Sequence, residues 1–538
     1  MSYGTNGGVI GPDNVPTLIA APGVWSLGEI AEARRDSVWP APFAGWFASW
    51  DPGVASDVGD ATQSGQITLD TSDNIYISAV CNDSSAGTYT SAIAKVQSNG
   101  NALVNNYQFN ILESSVQKNT RLMGLVAAGT NLYISGDEIS TGYAWRAKLN
   151  SSYAVQWFGD SGGDKQTVQS GQPSYANTDM KLYVSPNEDV GIHLYYGYYT
   201  SYGSYQAIMQ PIDAATGYKL YPDTYGGNCY PVMPNSSPTS VAQYIQGFAM
   251  NTGRMAYIQS SYHSSYGPYN VQFGEADEYI WSGWSGMQSA RFATGGSSAG
   301  WGAYSSAPKI CAYRTTGTPH QYYWNAVMNI NGGTYSDQAY FSFWDPYSLG
   351  YSGWSKGTRY IVNASDSPAT PTGFTIECPP VNDSTDTYCY FVLRDNATNP
   401  AQHYLVKHDI ANQTAIWQRK IQIYKTAHGI TGYDVPLIQS MAIDSTDENV
   451  YGIFSSMTMN TAACVESIVF KLPTDGTGAG TYVAGDYTIT YGTSNMTVTA
   501  GDILDFGTGA AGNSYTSFSN YGTLTTSTST PTATWDKA

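Results

Sequence analysis

The sequence predicts an all-β protein built from a repeated β-sheet module. Two short phrases recur in the same order: residues 70–77 return as 444–451, and residues 92–100 return as 467–476. The first phrase is an Asp/Asn turn followed by apolar and aromatic residues, and the second is an alternating run that ends in a polar turn. An ordered pair of phrases that repeats marks a repeated supersecondary unit.

The lysine of the second phrase measures the length of the repeat. Lys95 and Lys471 are 376 residues apart, and the neighbouring pair Lys407 and Lys471 is 64 apart. Lys95 and Lys148 are 53 apart. A module of about 60 residues, near the upper range of propeller-blade repeats, gives about seven copies. The spacing also leaves six or eight copies open.

Each copy contains a turn, a strand, a loop, a strand, a tight turn and a further strand, which predicts a four-stranded antiparallel sheet. One such sheet cannot bury both of its faces, whereas radial stacking of several copies buries them and leaves only short edges. We therefore expect a seven-bladed β-propeller over residues 61–480. The phrases resemble the seven-bladed repeats of bacterial and phage proteins, which implies a fold but no activity. A long β-sandwich array is the alternative.

Residues 1–60 differ in character and predict an N-terminal docking arm. Ser26 and Glu29 have the spacing of a capping box, and the apolar residues that follow predict one short helix over about 27–37. A helix of this length is not stable alone, so the arm must dock on its own propeller or on a neighbouring subunit. The residues expected to make that contact are Trp25, Leu27, Ile30 and Trp39.

The first 42 residues resemble a segment of tailed-bacteriophage virion proteins. Gly-Val-Trp-Ser-Leu at 23–27, Glu29 and Trp-Pro at 39–40 are similar to a signature of tail-fibre and tail-associated proteins, particularly those of marine phages. The resemblance implies a structural component of a virion, present in several copies and dependent on other virion proteins. It does not imply a position in the particle.

Composition and charge indicate which kinds of partner the chain can bind. Charged residues make up 12% of the chain, the net charge is −18, and there are 45 tyrosines. A polar, weakly charged, tyrosine-rich surface is typical of extracellular or virion proteins. Nucleic-acid binding needs clustered Lys and Arg, so we expect no nucleic-acid partner. An acidic chain is also unsuited to anionic membrane surfaces, so we expect no membrane partner.

The chain begins without the pattern of a signal peptide, and no apolar run reaches about 18 residues. A protein that has an extracellular composition but no export signal is most simply one that leaves the cell by lysis. We therefore expect assembly in the host cytoplasm and localisation in the virion.

Residues 481–538 predict a small C-terminal β segment. The run from 481 to 491 alternates well, and 496–500 gives a second strand. After Gly507 the chain is rich in Gly, Ser and Thr. Both a flexible arm and a strand pair that packs on a partner stay open.

No catalytic, metal or cofactor site is predicted. Residues 353–357 match the nucleophile-elbow string, but a strand follows where that elbow needs a helix. His403 and His408 fall on opposite faces of one strand, so they cannot share a metal ion. The Asp-rich turns at 383–386 and 444–447 are explained by Asx capping. We therefore expect a protein that is not an enzyme.

The six cysteines do not have the spacing of a zinc site. Cys378 and Cys389 are spaced to face each other across a hairpin. Free thiols are the favoured state in a chain that is assembled in a reducing cytoplasm.

Aromatic residues are locally in excess, and this predicts a binding surface. Exposed Tyr and Trp rings stack on sugar faces or anchor protein interfaces. The alternative is that these rings form core between blades. If they are exposed, the chain could instead be a lectin-like or glycan-degrading propeller that binds host-surface glycan. The residues concerned are Tyr195, Tyr198, Tyr199, Tyr202, Trp281 and Trp284.

Overall fold

The structure is a computed structural model, and it describes part of the chain. The described residues are 45–53, 61–62, 65–83, 88–113, 116–138, 144–160, 182–184, 188, 190–199, 204–217, 230–231, 243–251, 254–263, 267–277, 288–292, 309–314, 322–330, 338–344, 354–361, 374–376, 378–395, 402–412, 414–425, 436–456, 466–494, 496–501, 507–508, 524–529 and 534–537. They form 37 β-strands and no helix. The all-β class that the sequence predicts is confirmed for these residues.

The strands of the first half are β1 (Trp46–Asp51), β2 (Ala61–Thr62), β3 (Gln66–Leu69), β4 (Ile75–Asp83), β5 (Thr88–Val96), β6 (Leu103–Glu113), β7 (Val116–Gln117), β8 (Thr120–Ala128), β9 (Asn131–Glu138), β10 (Ala144–Leu149), β11 (Val155–Asp160), β12 (Leu182–Val184), β13 (Val190–Tyr199), β14 (Ser204–Asp213), β15 (Tyr230–Pro231), β16 (Gln243–Asn251), β17 (Arg254–His263), β18 (Gly267–Asp277) and β19 (Gln288–Phe292).

The strands of the second half are β20 (Lys309–Arg314), β21 (Tyr322–Ile330), β22 (Gln338–Trp344), β23 (Trp354–Ile361), β24 (Phe374–Ile376), β25 (Val381–Asn382), β26 (Tyr388–Asp395), β27 (Gln402–Asp409), β28 (Thr414–Lys425), β29 (Pro436–Ile443), β30 (Asn449–Ser456), β31 (Ser467–Pro473), β32 (Gly480–Ala484), β33 (Tyr487–Thr493), β34 (Thr497–Gly501), β35 (Gly507–Thr508), β36 (Leu524–Ser529) and β37 (Thr534–Lys537).

These strands form seven antiparallel sheets, here named A to G. Each sheet has four strand positions, which we call first to fourth. In sheet A, β2 and β3 share the first position, and β4, β5 and β6 follow. Sheets B, C, D and E contain β8 to β11, β12 to β15, β16 to β19 and β20 to β23 in order. In sheet F, β24 and β25 share the first position, and β26, β27 and β28 follow; sheet G contains β29, β30, β31 and β1 in order. The repeated four-stranded module that the sequence predicts is therefore present.

The first strands of the sheets contact one another in a closed cycle. The contacts run from β3 to β8, β12, β16, β20, β25 and β29, and β29 contacts β3 again. Between sheets A and B, the amide of Ala127 donates to Oγ1 of Thr68 at 3.1 Å. Between sheets G and A, Oγ of Ser440 donates to the carbonyl of Ile67 at 3.1 Å, although 373 residues separate them.

Both ends of the described chain meet in sheet G. The N-terminal strand β1 is the fourth strand of this sheet, with Phe47 opposite Phe470 of β31. On its other side β1 pairs with the C-terminal strand β37, with Trp50 opposite Trp535. The sequence predicts that 46–51 belong to the docking arm, but these residues form a strand of sheet G. The chain leaves sheet G after β31, so β1 supplies the fourth strand of this sheet.

The C-terminal strands form what we call the belt, β32 to β37. After the hairpin of β32 and β33, the belt pairs antiparallel with the fourth strand of F, then E, D, A and G, through β33, β34, β35, β36 and β37 respectively. It thus runs against the direction in which the chain builds the sheets. The last strand, β37, contacts β32, the first strand of the belt. The hairpin falls within the C-terminal β segment that the sequence predicts.

Apolar side chains fill the spaces between neighbouring sheets. Phe47, Leu405, Phe454 and Ile489 lie fully buried in one core between F and G. A second core lies between G and A, and a third between A and B. Burying one large apolar side chain stabilises a fold by about 1.5–3 kcal/mol, so the burial of these side chains is the main contribution to the packing of neighbouring sheets.

Candidate functional site

The repeated Asp turn connects the first and second strands of sheets A, F and G. In sheet A, Oδ1 of Asp70 accepts hydrogen bonds from the amides of Ser72 and Asn74, each at 2.9 Å. Asp383 and Asp444 accept equivalent bonds from amides four and five residues further on, at 2.7–3.1 Å. These bonds are the Asx capping that the sequence predicts, and they use these carboxylates to hold the turn.

Three residues after the capping Asp, the same turns place an acidic residue at positive φ. Asp73 has φ 57°, Asp386 53° and Asp447 59°. In this left-handed region a residue other than Gly costs about 1–2 kcal/mol, although Asp tolerates it better than most. In sheets B and C, Gly129 and Glu188 also have φ 55°. A backbone cost that recurs at one position needs a compensating contact.

That contact is a hydrogen bond to the turn of the preceding sheet. Asp73 in A accepts bonds from the amide of Ser445 at 2.8 Å and its hydroxyl at 2.6 Å. Asp447 in G accepts the same pair of bonds from Ser384 in F, with the amide at 2.7 Å. Between A and B, the Thr71 hydroxyl donates to the carbonyl of a glycine at 3.3 Å. The turns are therefore linked in series from F through G and A to B.

Glu188 makes the corresponding link from B to C. Its Oε2 accepts hydrogen bonds from Nδ2 of Asn131 and the hydroxyl of Tyr133, both at 2.8 Å, and lies 3.3 Å from Nζ of Lys148. Burial alone would raise the pKa of Glu188, but the bonds from Tyr133 and Asn131 and the charge of Lys148 together lower it. The ionised carboxylate is thus the form that joins the two sheets.

The lysine that measures the repeat pairs with a tyrosine on the neighbouring strand. Nζ of Lys95 lies 5.4 Å from the ring centroid of Tyr76, directly opposite it in the register. Three further sheets repeat this pair at 5.1–5.7 Å, as Lys148 with Tyr133, Lys407 with Tyr390 and Lys471 with Tyr451. Cation–π contacts of this kind contribute about 0.5–1 kcal/mol when partly exposed.

The tyrosine of this pair is also joined to the turn. The Tyr76 hydroxyl donates to Oδ2 of Asp70 at 3.2 Å. Burial, and after it the charge and hydrogen bond of Asp70, raise the pKa of Tyr76 to about 12. A tyrosine with so high a pKa stays protonated at neutral pH, so it acts as a hydrogen-bond donor and not as a base.

A tryptophan on the fourth strand of one sheet contacts the turn that follows the third strand of the next, and we call this contact the clasp. Nε1 of Trp157 in B donates to the carbonyl of Ala214 in C at 3.1 Å. Nε1 of Trp417 in F donates to the carbonyl of Thr474, which follows the third strand of G, at 3.0 Å. The sequence does not predict this contact, because its two partners come from different modules.

The clasped turn contains a glycine at positive φ where the ring approaches. Gly100 has φ 69°, and a Cβ there would lie 2.4 Å from the ring of Trp46. Gly476 has φ 75°, and its Cβ would lie 3.0 Å from Trp417. The glycine therefore serves both the backbone conformation and the close approach of the ring.

Charged side chains cluster between sheets A and B. The guanidinium of Arg121 forms two hydrogen bonds to Asp137, one of them from Nε to Oδ1 at 2.9 Å. Beside it, Nζ of Lys118 lies 3.1 Å from Oε1 of Glu138. Burial lowers the pKa of Arg121, but Asp137 outweighs it and the net shift is upward. Tyr89 lies 5.6 Å beneath the guanidinium. Two acids face two bases, so the cluster is charge-balanced.

These contacts give the repeated polar residues a structural role. The capping acids hold turns, Asp73, Asp447 and Glu188 join neighbouring sheets, and the charged cluster is internally paired. Across the described ranges, no group of three or more His, Cys, Asp or Glu side chains is arranged to hold a metal ion. No helix of the described part is long and apolar enough to cross a bilayer.

The two histidines of β27 lie on opposite faces of sheet F, as their spacing predicts. The ring of His403 packs edge-on against Phe454 of sheet G, with centroids 4.9 Å apart. His408 lies 6.3 Å from Phe391, and burial, opposed by Asp409, lowers its pKa to about 3. Cys378 and Cys389 are both buried as thiols and do not form a disulfide.

The predicted glycan- or partner-binding residues are placed only in part. Tyr195, Tyr198 and Tyr199 lie in β13, where Tyr198 is opposite Tyr205 in the register and only the backbone is described. The remaining binding residues, Tyr202, Trp281 and Trp284, lie outside the described residues, as do the arm residues Trp25, Leu27, Ile30 and Trp39 and the predicted helix at 27–37.

Comparison with known proteins adds little to this picture. No family model matches the chain, and no curated protein matches it. Among solved structures, the dihydro-heme d1 dehydrogenase NirN aligns with a TM-score of 0.33 and 9% identity, over 71% of this chain and 74% of that one. The β-propeller domain of the Trilobed protease from Pyrococcus furiosus aligns with a TM-score of 0.35 and 6% identity, over 74% and 91%. Scores this low carry no argument about function.

Proposed function

We infer that the seven sheets are the blades of one seven-bladed β-propeller, and we propose that it is a non-enzymatic structural component of a tailed-bacteriophage particle. The observation that supports the inference about fold is the closed cycle of contacts between first strands. Only a radial arrangement lets every sheet contact two neighbours through the same strand position. A linear sandwich array would leave two end sheets with one neighbour each.

A scaffold role is supported by the contacts that the recurrent polar side chains make within the protein. The recurrent side chains of the module, Asp, Tyr, Lys and Trp, bind within a blade or to the next blade. Catalytic sites instead bring together titratable groups whose pKa values are shifted in different directions, so that one can act as an acid and another as a base. In the described part, the shifted tyrosines and His408 are shifted mainly by burial, which makes them unreactive at neutral pH.

The assignment to a phage particle is supported by the sequence. The segment at 8–42 resembles a segment of tail-associated and tail-fibre proteins, and the chain is acidic and rich in tyrosine. In this proposal the arm docks on other virion proteins through Trp25, Leu27, Ile30 and Trp39, and the propeller is presented in several copies. Attachment to the host surface is a further role that such a position would allow.

The test is the composition of purified particles. We expect peptides of this chain to co-purify with particles at a constant ratio to the major capsid protein through successive density gradients. Replacing both Trp25 and Trp39 by Ala should reduce incorporation at least about tenfold without changing the urea midpoint of the purified chain, because in this proposal both side chains contact other virion proteins. Absence from particles, together with binding to a host glycan array, would replace this proposal by the lectin-like alternative.

A further inference from the structure

The belt adds a fifth strand to most of the sheets, and sheet B is an exception. Among the described residues, A, D, E, F and G each have a belt strand beside the fourth position, while B and C have none. In sheet B the fourth strand, β11, pairs only with β10. The outer side of β11 is therefore a sheet edge whose backbone groups have no strand partner in the described part.

This edge is only weakly protected: it carries one charged residue, Asp160, and one β-bulge, at Gln156 opposite Lys148 and Leu149. Its sequence is Val-Gln-Trp-Phe-Gly-Asp, with no Lys and no Pro, and Trp157 and Phe158 are partly buried. Proteins normally blunt exposed edges with such residues, or cover the edge with another segment, because an open edge templates pairing with other chains. The sequence of β11 favours a covered edge.

The belt passes close to this edge. Strand β36, which pairs with the fourth strand of A, also contacts β11. Going back along the chain, the preceding belt strand is β35 on sheet D. Residues 509–523 connect the two strands, so they must pass from D to A, and sheets C and B lie between these in the cycle of contacts.

The length and composition of this connection suit strand addition. The belt takes three residues to step from F to E, at 494–496, and five to step from E to D, at 502–506. At three to five residues for each step, the three steps from D to A take nine to fifteen of the 15 residues 509–523, so up to about six stay for pairing with β11. The contour length of the segment is about 50 Å. Between residues 507 and 534 there is no charged residue, and Tyr515, Phe518 and Tyr521 favour extended structure.

We propose that the outer edge of β11 is a docking site for the chain's own residues 509–523, which add to it as an antiparallel strand. Both ends of the segment are already fixed, one on D and one on A, so its effective concentration at β11 exceeds that of any partner in solution. The belt is then continuous across B, and the edge is closed in each single molecule. The proposal is independent of the role in a phage particle.

The experiment is hydrogen exchange of the full chain and of a variant in which residues 509–523 are replaced by fifteen alternating Gly and Ser residues. This variant keeps β36 and β37. We expect exchange of the β11 amides to accelerate at least about tenfold in the variant, while β9 and β10 stay as protected as before. Equal protection of β11 in both chains would overturn the proposal.

A disulfide trap separates the possible occupants and does not depend on the folding of that variant. Gln156→Cys is combined in turn with cysteine at each position from 514 to 518, in a background in which the six native cysteines are replaced by Ser or Ala. An intramolecular disulfide in at least one pair supports the proposal. Disulfide dimers only would assign the edge to a second copy, and no disulfide in any pair would reject occupancy by this segment.

Discussion

Asp73 in the first turn of sheet A accepts two hydrogen bonds from Ser445 in sheet G, which lies 372 residues further along the chain. This contact joins the beginning of the repeated region to its end. The same pair of bonds joins Ser384 in F to Asp447 in G, so sheets G and A, which are far apart in the sequence, are linked in the same way as the neighbours F and G.

The first prediction concerns this contact. Asp73→Ala removes both acceptors and leaves a Cβ residue without polar compensation at φ 57°, so we expect a loss of about 2 kcal/mol in the free energy of unfolding. Asp73→Asn keeps one acceptor and tolerates positive φ, so it should lose less than about 1 kcal/mol. Urea denaturation followed by tryptophan fluorescence measures both. Ser72→Ala, in the same turn and exposed, is the control and should stay within about 0.5 kcal/mol of the parent.

The second prediction concerns the clasp between tryptophan and glycine. Gly100→Ala places a Cβ 2.4 Å from the Trp46 ring at φ 69°, so backbone strain and steric overlap act together. We expect a loss of about 2–4 kcal/mol. Gly492→Ala is the matched control, because a Cβ there meets no atom within 4 Å. If both variants unfolded at the same urea concentration, the close approach of Trp46 would be incorrect.

The third prediction concerns the C-terminal strand. A chain that ends at Pro531 lacks β37, so it exposes one side of β1 and removes Trp535 from its position opposite Trp50. We expect a lower urea midpoint and association that rises with protein concentration, measured by light scattering, because a free edge pairs with other chains. Lys537→Ala removes the hydrogen bonds to Asn99 and Asn101, so it should associate no more than the parent and lose less than about 1 kcal/mol. A truncated chain that is as stable as the parent and associates no more than it does would contradict this role of β37.

The fourth prediction concerns acid. The pKa of His408 falls from 6.5 to about 3 on folding, mainly through burial. Because the unfolded chain binds this proton first, the contribution of His408 to stability is complete above pH 6.5 and is lost as pH falls from 6.5 towards 3. The slope is about 1.4 kcal/mol per pH unit for one such group. His408→Phe should lose less stability than the parent between pH 6.5 and pH 4, and an unchanged slope would show that His408 is not buried as a neutral ring.

The repeat could be predicted because its signals are local. The Asp turn caps its own amides in sheets A, F and G, and a Lys faces a Tyr on the neighbouring strand in A, B, F and G, so both leave a pattern that recurs along the sequence. The clasp of Trp417 on the turn at Thr474 joins residues of two modules, which no local pattern reveals. The same holds for β1, β36 and β37, whose strand partners lie more than about 400 residues away in the sequence.

In the proposed propeller, seven sheets close into one ring, and both ends of the described chain meet in sheet G. A cryo-EM density map of the purified chain tests it most directly. We expect seven radial modules around one axis, with β1 between β31 and β37 in a single module. A map with an open or linear array of sheets, or with β1 away from β31, would contradict it.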